Sequence, residues 1–451
     1  MASRYARQGR RRAWRADLLY AGGWASVASA IALYLADGGL RSISTVADLF
    51  VAIGICTGLA ATDATLLMLL LAARVPAIDK AIGQVKATQI HAKLGQWVVI
   101  GLVMHAAFLL TGYALSEGVS LVAMFGELWG STMDFGWAVL ALGLFLLVSV
   151  TSIATARRKL PYEAWHAIHL TTYVAVIASI PHQFSMGGLL EAGPQRWYWM
   201  AILALTGIAL LTYRLLLPLL SSLDHRLRVS QVTPIAPDTV SIELSGRKLD
   251  ELETAAGQYF HWRFLAPGLW WHQHPFSVSA QPGKNSLRIT VRALGKGTAA
   301  LQRVRPGTRV AIEGPYGIFS DAARTADSVV LIGAGVGIAP IRAVLEETTV
   351  VPGRATVILR ASSPDQLYLV DEIAHLCRDR GAALVTLTGH RAHDSWVPQR
   401  YAGTTLRDWV PFVAEADVFV CGPDGFTAAV VADARAAGTP AKQIHDERFN
   451  W

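Results

Sequence analysis

Six apolar stretches, near residues 17–36, 48–73, 91–114, 135–156, 164–185 and 197–219, fill the first half of this chain. Each is long enough to cross a bilayer as a helix, which takes about 20 residues. Charge follows the same division. Residues 1–220 hold 16 Lys/Arg and 10 Asp/Glu, whereas residues 221–451 hold 24 and 23. Soluble domains average about 25% charged residues, a level only the second half approaches. An ordinary soluble enzyme is excluded, and a six-span membrane domain followed by a soluble module is expected.

The charges between the stretches are lopsided. Arg4, Arg7, Arg10, Arg11, Arg12 and Arg15 precede the first; Arg74, Lys80, Lys86 and Lys93 lie around the second connection; Arg157, Arg158 and Lys159 fill the fourth. The alternate connections carry only Arg41 and Arg196 as cations, beside Glu117, Glu127, Asp134 and Glu191. The positive-inside rule then puts both termini and the whole second half in the cytoplasm, with the plasma membrane as the expected location. The net charge of +7 is a mark of topology, and no nucleic-acid partner is expected. The first stretch lacks a small-residue cleavage site and reads as an uncleaved span. Cys56, Cys377 and Cys421 form no CxxC pair, so neither a four-thiolate cluster, a zinc ribbon nor a disulfide framework is available.

After Pro218 the texture changes. Residues 226–320 alternate apolar and polar over short runs, such as Thr239–Leu244 and Ser286–Arg292, with Gly/Pro turns between them. This pattern predicts a small antiparallel barrel. From Ser328 the order becomes buried strand, glycine turn, helix, strand, the grammar of an α/β nucleotide fold. The expected domains are a basic N-terminus at 1–16, the six-helix domain at 17–220, the barrel at 221–325 and the α/β domain at 326–451.

Of 13 histidines, five fall in or beside the apolar stretches. His91 and His105 lie fourteen apart on the third; His169 and His182 lie thirteen apart on the fifth, with His166 one turn before His169. Imidazole in hydrocarbon is costly unless paired or ligated. Fourteen residues rise about 21 Å and return to nearly the same helix face. Two parallel spans carrying such pairs can hold two stacked bis-imidazole haems; the alternative is a set of merely hydrogen-bonded histidines. Thirteen residues leave His182 about 140° off His169 on a straight helix, and Pro181 offers a kink to re-aim it. Asp63, inside the second stretch, reads as a proton relay or cation partner, or as a protonated group bonded across helices. Asp48 sits at the outer end of the same stretch.

Four segments of the second half carry chemistry. His274-Pro275-Phe276-Ser277, after Gly257-Gln258-Tyr259-Phe260, pairs an aromatic with a hydroxyl, which suits a flat redox ring. Arg292-Ala293-Leu294-Gly295-Lys296-Gly297-Thr298 joins a strand to a helix and reads as a pyrophosphate turn or a plain one. Gly333-Ala334-Gly335-Val336-Gly337-Ile338-Ala339-Pro340 is a glycine-rich strand-to-helix turn in the right context for a dinucleotide. Arg360, after the next strand, reads as a 2′-phosphate clamp or a solvated surface arginine. Val418–Pro423 is a buried strand ending in a tight turn, where Cys421 is a core residue or a nicotinamide contact.

In this order the segments resemble the ferric reductase and NADPH oxidase family, from about Leu18 to Trp451. The resemblance implies six spans with two b-type haems, then a ferredoxin-NADP-reductase-like module binding FAD and NADPH. It implies an inner haem on His91 and His169, an outer one on His105 and His182, and, through Trp165-His166-Ala167-Ile168-His169, the second histidine as ligand. It implies FAD on His274, Pro275, Phe276, Ser277, Arg292, Gly297 and Thr298. It implies nucleotide on Gly333, Gly335, Gly337, Pro340, Arg360, Cys421, Gly422 and Pro423. The terminal Glu447-Arg448-Phe449-Asn450-Trp451 is similar to the family's C-terminal aromatic over the flavin, with Trp451 in that place; Cys421 and Trp451 are thus the expected catalytic contacts. The eukaryotic oxidases carry another histidine where this chain has Leu109, which counts against oxygen as a dedicated acceptor. No EF-hand is recognised, so no calcium switch is expected.

The expected activity moves electrons from cytoplasmic NADPH through FAD and both haems to an acceptor outside. That acceptor is oxygen, giving superoxide, or a ferric chelate, with a quinone or partner protein as alternatives. A haem-bearing membrane sensor is the rival from another class. Oligomeric state is open.

Overall fold

A computed structural model describes residues 4–153, 157, 159–185 and 193–448. The chain divides into two compact units: Asp17–Ile78 with Lys86–Tyr213, and Asp79–Val85 with the chain before Asp17 and from Arg214 onward.

The helices are α1 (Arg4–Tyr34), α2 (Val46–Ala72), α3 (Pro76–Ile82), α4 (Gln84–Glu117), α5 (Leu121–Ser131), α6 (Phe135–Ser152), α7 (Tyr162–Ser185) and α8 (Pro194–Leu211). Thr45 and Asp48 cap α2 reciprocally: Asp48 N–H donates to Thr45 Oγ1 at 3.1 Å, and Thr45 N–H to Asp48 Oδ2 at 2.8 Å. Asp48 is therefore a helix cap. Among the described residues, five helices are long and apolar enough to cross a membrane, at Ala13–Gly39, Val46–Ala72, Gln84–Glu117, Phe135–Ser152 and Pro194–His225. The expected fifth span is the stretch not among them. The fifth stretch does form a helix of 24 residues, but Glu163, His166, His169, His182 and Gln183 dilute its apolar character. Pro181 lies inside that helix without ending it.

Glycines set how closely α2 and α4 approach. A Cβ at Gly54 would lie 2.8 Å from Leu109, one at Gly101 3.1 Å from Ala61, and one at Gly112 2.6 Å from Val51. Partner numbers fall along α2 as they rise along α4, so the two helices pack antiparallel. Asp63, fully buried, accepts from Ser26 Oγ and Tyr198 Oη at Oδ1, both at 2.9 Å. This ties α2 to α1 and α8, as the cross-helix reading of Asp63 expects.

The other unit begins with α9 (Leu217–His225) and strands β1 (Arg228–Ala236), β2 (Thr239–Ser245), β3 (Tyr259–Phe264), β4 (His274–Ser277), β5 (Ser286–Arg292) and β6 (Val310–Tyr316). They form two three-stranded antiparallel sheets, ordered β1-β2-β5 and β4-β3-β6. Single bridges, Arg228 to Arg309 and Val278 to Ile289, join their margins. Alternate residues such as Phe260, Trp262 and Phe264 on β3, with Ile242, Leu244, Ile289 and Val291, point into one shared core. The short helix α10 (Lys296–Leu301) follows β5.

The chain then builds a five-stranded parallel sheet, β11-β10-β7-β8-β9. Its strands are β7 (Ser328–Ala334), β8 (Ala355–Ala361), β9 (Ala383–Thr388), β10 (Ala416–Gly422) and β11 (Ile444–Arg448), with α11 (Ile338–Glu347), α12 (Val370–Arg380) and α13 (Asp424–Ala436) among the connections. β7, β8 and β10 are buried along their whole length, as parallel strands covered on both faces must be. The sequence after Ser328 is read correctly as α/β.

Candidate functional site: a histidine pair in the membrane unit and two nucleotide cradles

The membrane unit brings His91 of α4 and His169 of α7 together, with ring centroids 6.1 Å apart and planes at 60°. Two imidazole nitrogens bound to one metal at about 2 Å each hold their ring centroids about 6 Å apart, so this pair has the spacing of a bis-imidazole site. His169 stacks on Trp165 at 5.0 Å and 26°, and the Arg157 guanidinium covers the same indole at 4.5 Å. His166 is exposed. The local sequence thus turns His169 toward His91.

The carbonyls behind His91 and His105 also fit these rings as metal ligands. His91 Nδ1 lies 3.2 Å from the Met68 carbonyl, and His105 Nδ1 lies 2.8 Å from the Gly54 carbonyl, both on α2. A carbonyl only accepts, so each Nδ1 carries the proton and each Nε2 keeps its lone pair. His182 Nδ1 is buried without a hydrogen-bond partner. Among the described residues His105 and His182 make no ring contact like that of His91 and His169. Nor does any cluster of three or more His, Cys, Asp or Glu occur there, but a bis-imidazole haem takes only two side chains from the protein.

On β4, His274 and Phe276 stack at 5.7 Å with planes 7° apart. Burial, with His272 beside it, pushes the His274 imidazole down to about 4, so the ring is neutral at pH 7. Ser277 is buried and its hydroxyl has no partner, the state of a group awaiting a ligand. A Cβ at Gly297 would come within 2.9 Å of His274 Cε1. Thr298 Oγ1 takes the N–H groups of Leu294 at 2.9 Å and Gly295 at 3.0 Å. Arg292 Nε donates to Asp238 Oδ2 at 2.7 Å. Pro275 pairs with His261 of β3.

The glycine turn follows β7 directly. Gly335 has φ +57°, open to glycine at no steric cost. Any Cβ at Gly337 would collide with the Cys421 carbonyl, so this glycine lets α11 approach the end of β10. Gly333 packs closely on Ile338, and Pro340 is buried in the first turn of α11. Gly422 ends β10 and Pro423 caps α13.

Arg360 needs a correction. It is buried, not a solvated surface arginine. Nε donates to the Trp396 carbonyl at 3.2 Å, Nη2 to Gly389 at 2.6 Å and Nη1 to Ala361. Burial, then the charges of Arg391 and Arg400, lower its pKa. Those two exposed arginines, in the segment after β9, were not singled out by sequence; only the tertiary fold brings them near β8. Cys421 is fully buried, and burial, with Glu447 and Asp446, pushes its thiol well up. Glu447 was noticed only as part of the C-terminal motif. It pairs with Cys421 across β10 and β11, its Oε2 is buried without a partner, and burial, Asp79 and Asp446 push it up to about 8. Trp451 lies outside the described residues.

Three family models match in succession: ferric reductase like transmembrane component over residues 57–180, FAD-binding domain over 225–320, and oxidoreductase NAD-binding domain over 331–432. A flavohemoprotein of Xylella fastidiosa is 30% identical over 43% of this chain and 50% of its own length. The reductase component of propane 2-monooxygenase from Rhodococcus jostii is 28% identical over 50% and 64%. Ferric reductase transmembrane component 4 of Saccharomyces cerevisiae is 26% identical over 60% of this chain and 36% of that protein. The chain thus spans about half the length of the flavohemoprotein relatives it matches. A transmembrane component with histidines paired in its helices, followed by FAD- and NAD-binding domains in one chain, makes this protein a member of the ferric reductase and NADPH oxidase family.

Proposed function

We propose that this chain is a transmembrane oxidoreductase that moves electrons from cytoplasmic NADPH, through FAD and two b-type haems, to an acceptor outside, either oxygen or a ferric chelate. The pairing of His91 with His169 at 6.1 Å, in a chain that also carries FAD- and NAD-binding domains, is the observation that carries this reading.

Bound flavin supplies the exchange between two-electron and one-electron chemistry, and haem iron supplies one-electron carriage. The remaining work belongs to the chain. His91 and His169 hold the inner haem; His105 and His182 hold the outer one. His274, Pro275, Phe276 and Ser277 line the isoalloxazine, with the Ser277 hydroxyl free to bond a ring-edge atom. Arg292, Gly297 and Thr298 shape the turn against its diphosphate. Gly333, Gly335, Gly337 and Pro340 let backbone approach the dinucleotide, and Cys421, Gly422 and Pro423 close the nicotinamide end. Arg391 and Arg400 are further cations for a 2′-phosphate beside Arg360, whose guanidinium uses three of its five N–H groups on carbonyls. Trp451 covers the flavin. Glu447, neutral at pH 7, holds a proton beside Cys421.

Six crossings with both termini inside agree with this use. α7 keeps an apolar exposed stripe in Leu170, Val174 and Ile177, one helical face, which suits lipid.

Anaerobic spectra of the purified protein test the reading. NADPH with FAD should reduce the same haem that dithionite reduces. Haem reducible by dithionite and inert to NADPH would mark a sensor instead.

A further inference from the structure

The membrane unit holds one contact that the haem ligands do not explain. Gly58 of α2 is buried, and a Cβ built on it would collide with Nδ1 of His105 and lie 2.7 Å from its Cε1. Four residues earlier, the Gly54 carbonyl receives the same Nδ1 at 2.8 Å. The ring therefore rests against bare backbone, and its Nδ1–H is drawn into that backbone. Thr57 Oγ1 donates to the same Gly54 carbonyl at 2.9 Å, sharing its one proton with the Ile53 carbonyl, also at 2.9 Å.

The seat is specific to this place. Gly112 is packed as tightly on the same helix pair, yet a Cβ there would meet only Val51 and Ala47. Gly143 and Gly207 would meet nothing within 4 Å. His91, by contrast, takes the Met68 carbonyl at 3.2 Å with no glycine beneath its ring.

We infer that Gly58 and the Gly54 carbonyl form a seat on α2 that fixes the ring orientation and tautomer of His105, with Thr57 setting how strongly that carbonyl accepts. The inference rests on the haem reading above. These are positioning residues: they act on the outer haem only through His105. The tautomer matters because an Nδ1–H bonded to a carbonyl leaves Nε2 as the ligand atom and makes the ring a stronger electron donor to iron.

The test uses the purified full chain, with haem content by the pyridine haemochromogen method and midpoint potentials by dithionite titration. The outer haem is the one that His105→Ala removes. Gly58→Ala should lower haem from two per chain to one, whereas Gly112→Ala should keep both. Thr57→Val keeps the side-chain volume and leaves the Gly54 carbonyl to His105 and the helix's own N–H. It should leave both haems bound and move the outer potential more negative, with the inner one unchanged. The seat is refuted if Gly58→Ala keeps both haems at unchanged potentials, or if Gly112→Ala loses haem equally. Should Gly58→Ala not accumulate, an outer potential unmoved in Thr57→Val refutes it alone. A haem-free wild type would instead overturn the haem reading, and the two failures are distinct.

Discussion

The two units solve the same problem, bringing protein close to a redox group, with opposite parts of the chain. In the membrane unit the reactive contacts are side chains, His91 against His169, and the backbone serves as their support through the carbonyls of Met68 and Gly54. In the unit that carries the FAD- and NAD-binding domains, glycines open the backbone at Gly333, Gly335 and Gly337, and the buried Arg360 bonds the carbonyls of Trp396 and Gly389. The difference follows from solvent. Hydrocarbon leaves a helix no free amides to offer a ligand, whereas a strand-to-helix turn presents them at every nucleotide fold. On the reading proposed here a glycine means a seat for a ring in one unit and a path for a phosphate in the other.

The largest expected effect breaks the comparison on its membrane side. His169→Ala should abolish NADPH-driven reduction of an external acceptor and remove one haem, while dye reduction by the FAD- and NAD-binding unit persists; acceptor and dye assays on one preparation check this. His166→Ala should keep both activities. In that second unit, Arg360→Ala leaves three carbonyls without a charged donor, each such bond being worth roughly 1.5–3 kcal/mol. Stability should fall by at least about 1.5 kcal/mol, with the KM values for NADPH and NADH rising together. Arg391→Ala should raise the KM for NADPH alone, by about tenfold for a loss near 1.4 kcal/mol. Steady-state kinetics with both cofactors separate the two arginines.

Gly337→Ala sharpens the backbone side. Its methyl meets the Cys421 carbonyl, and overpacking of this kind costs about 1–3 kcal/mol; thermal unfolding should shift down while haem content stays constant. Glu447 gives the clearest sign. Its pKa rises from 4.5 to about 8 on folding, so between those values the folded chain keeps a proton that the unfolded chain has released. That contribution to stability is complete below 4.5 and is lost as pH rises through about 8. Melting temperature should therefore fall between about pH 4.5 and pH 8, and Glu447→Gln should flatten the fall.

Legibility in the sequence followed the range of the interaction. Runs and turns are local, so the antiparallel strands before Tyr316, the parallel strands after Ser328 and the turn at Gly333 could be read directly. The choice of His169 over His166 came from the family resemblance and not from a local pattern; His169 is the ring that lies against His91, and His166 is exposed. The burial of Arg360 was not legible, since its partners, Gly389 and Trp396, lie about thirty residues on. The Gly58 seat had no signal at all: glycines are common in apolar helices, and only α4 packed against α2 shows which one faces a histidine. Among the described residues five helices have the length and apolar character of a membrane span, and α7, the expected fifth span, is a helix outside that set.

The central claim, that paired imidazoles in the membrane unit bind haem iron, is tested most directly by low-temperature electron paramagnetic resonance of the oxidised, purified chain. The account predicts two low-spin ferric signals of bis-imidazole type, one of which disappears in His169→Ala. A spectrum without ferric haem, or one that His169→Ala leaves unchanged, would contradict it.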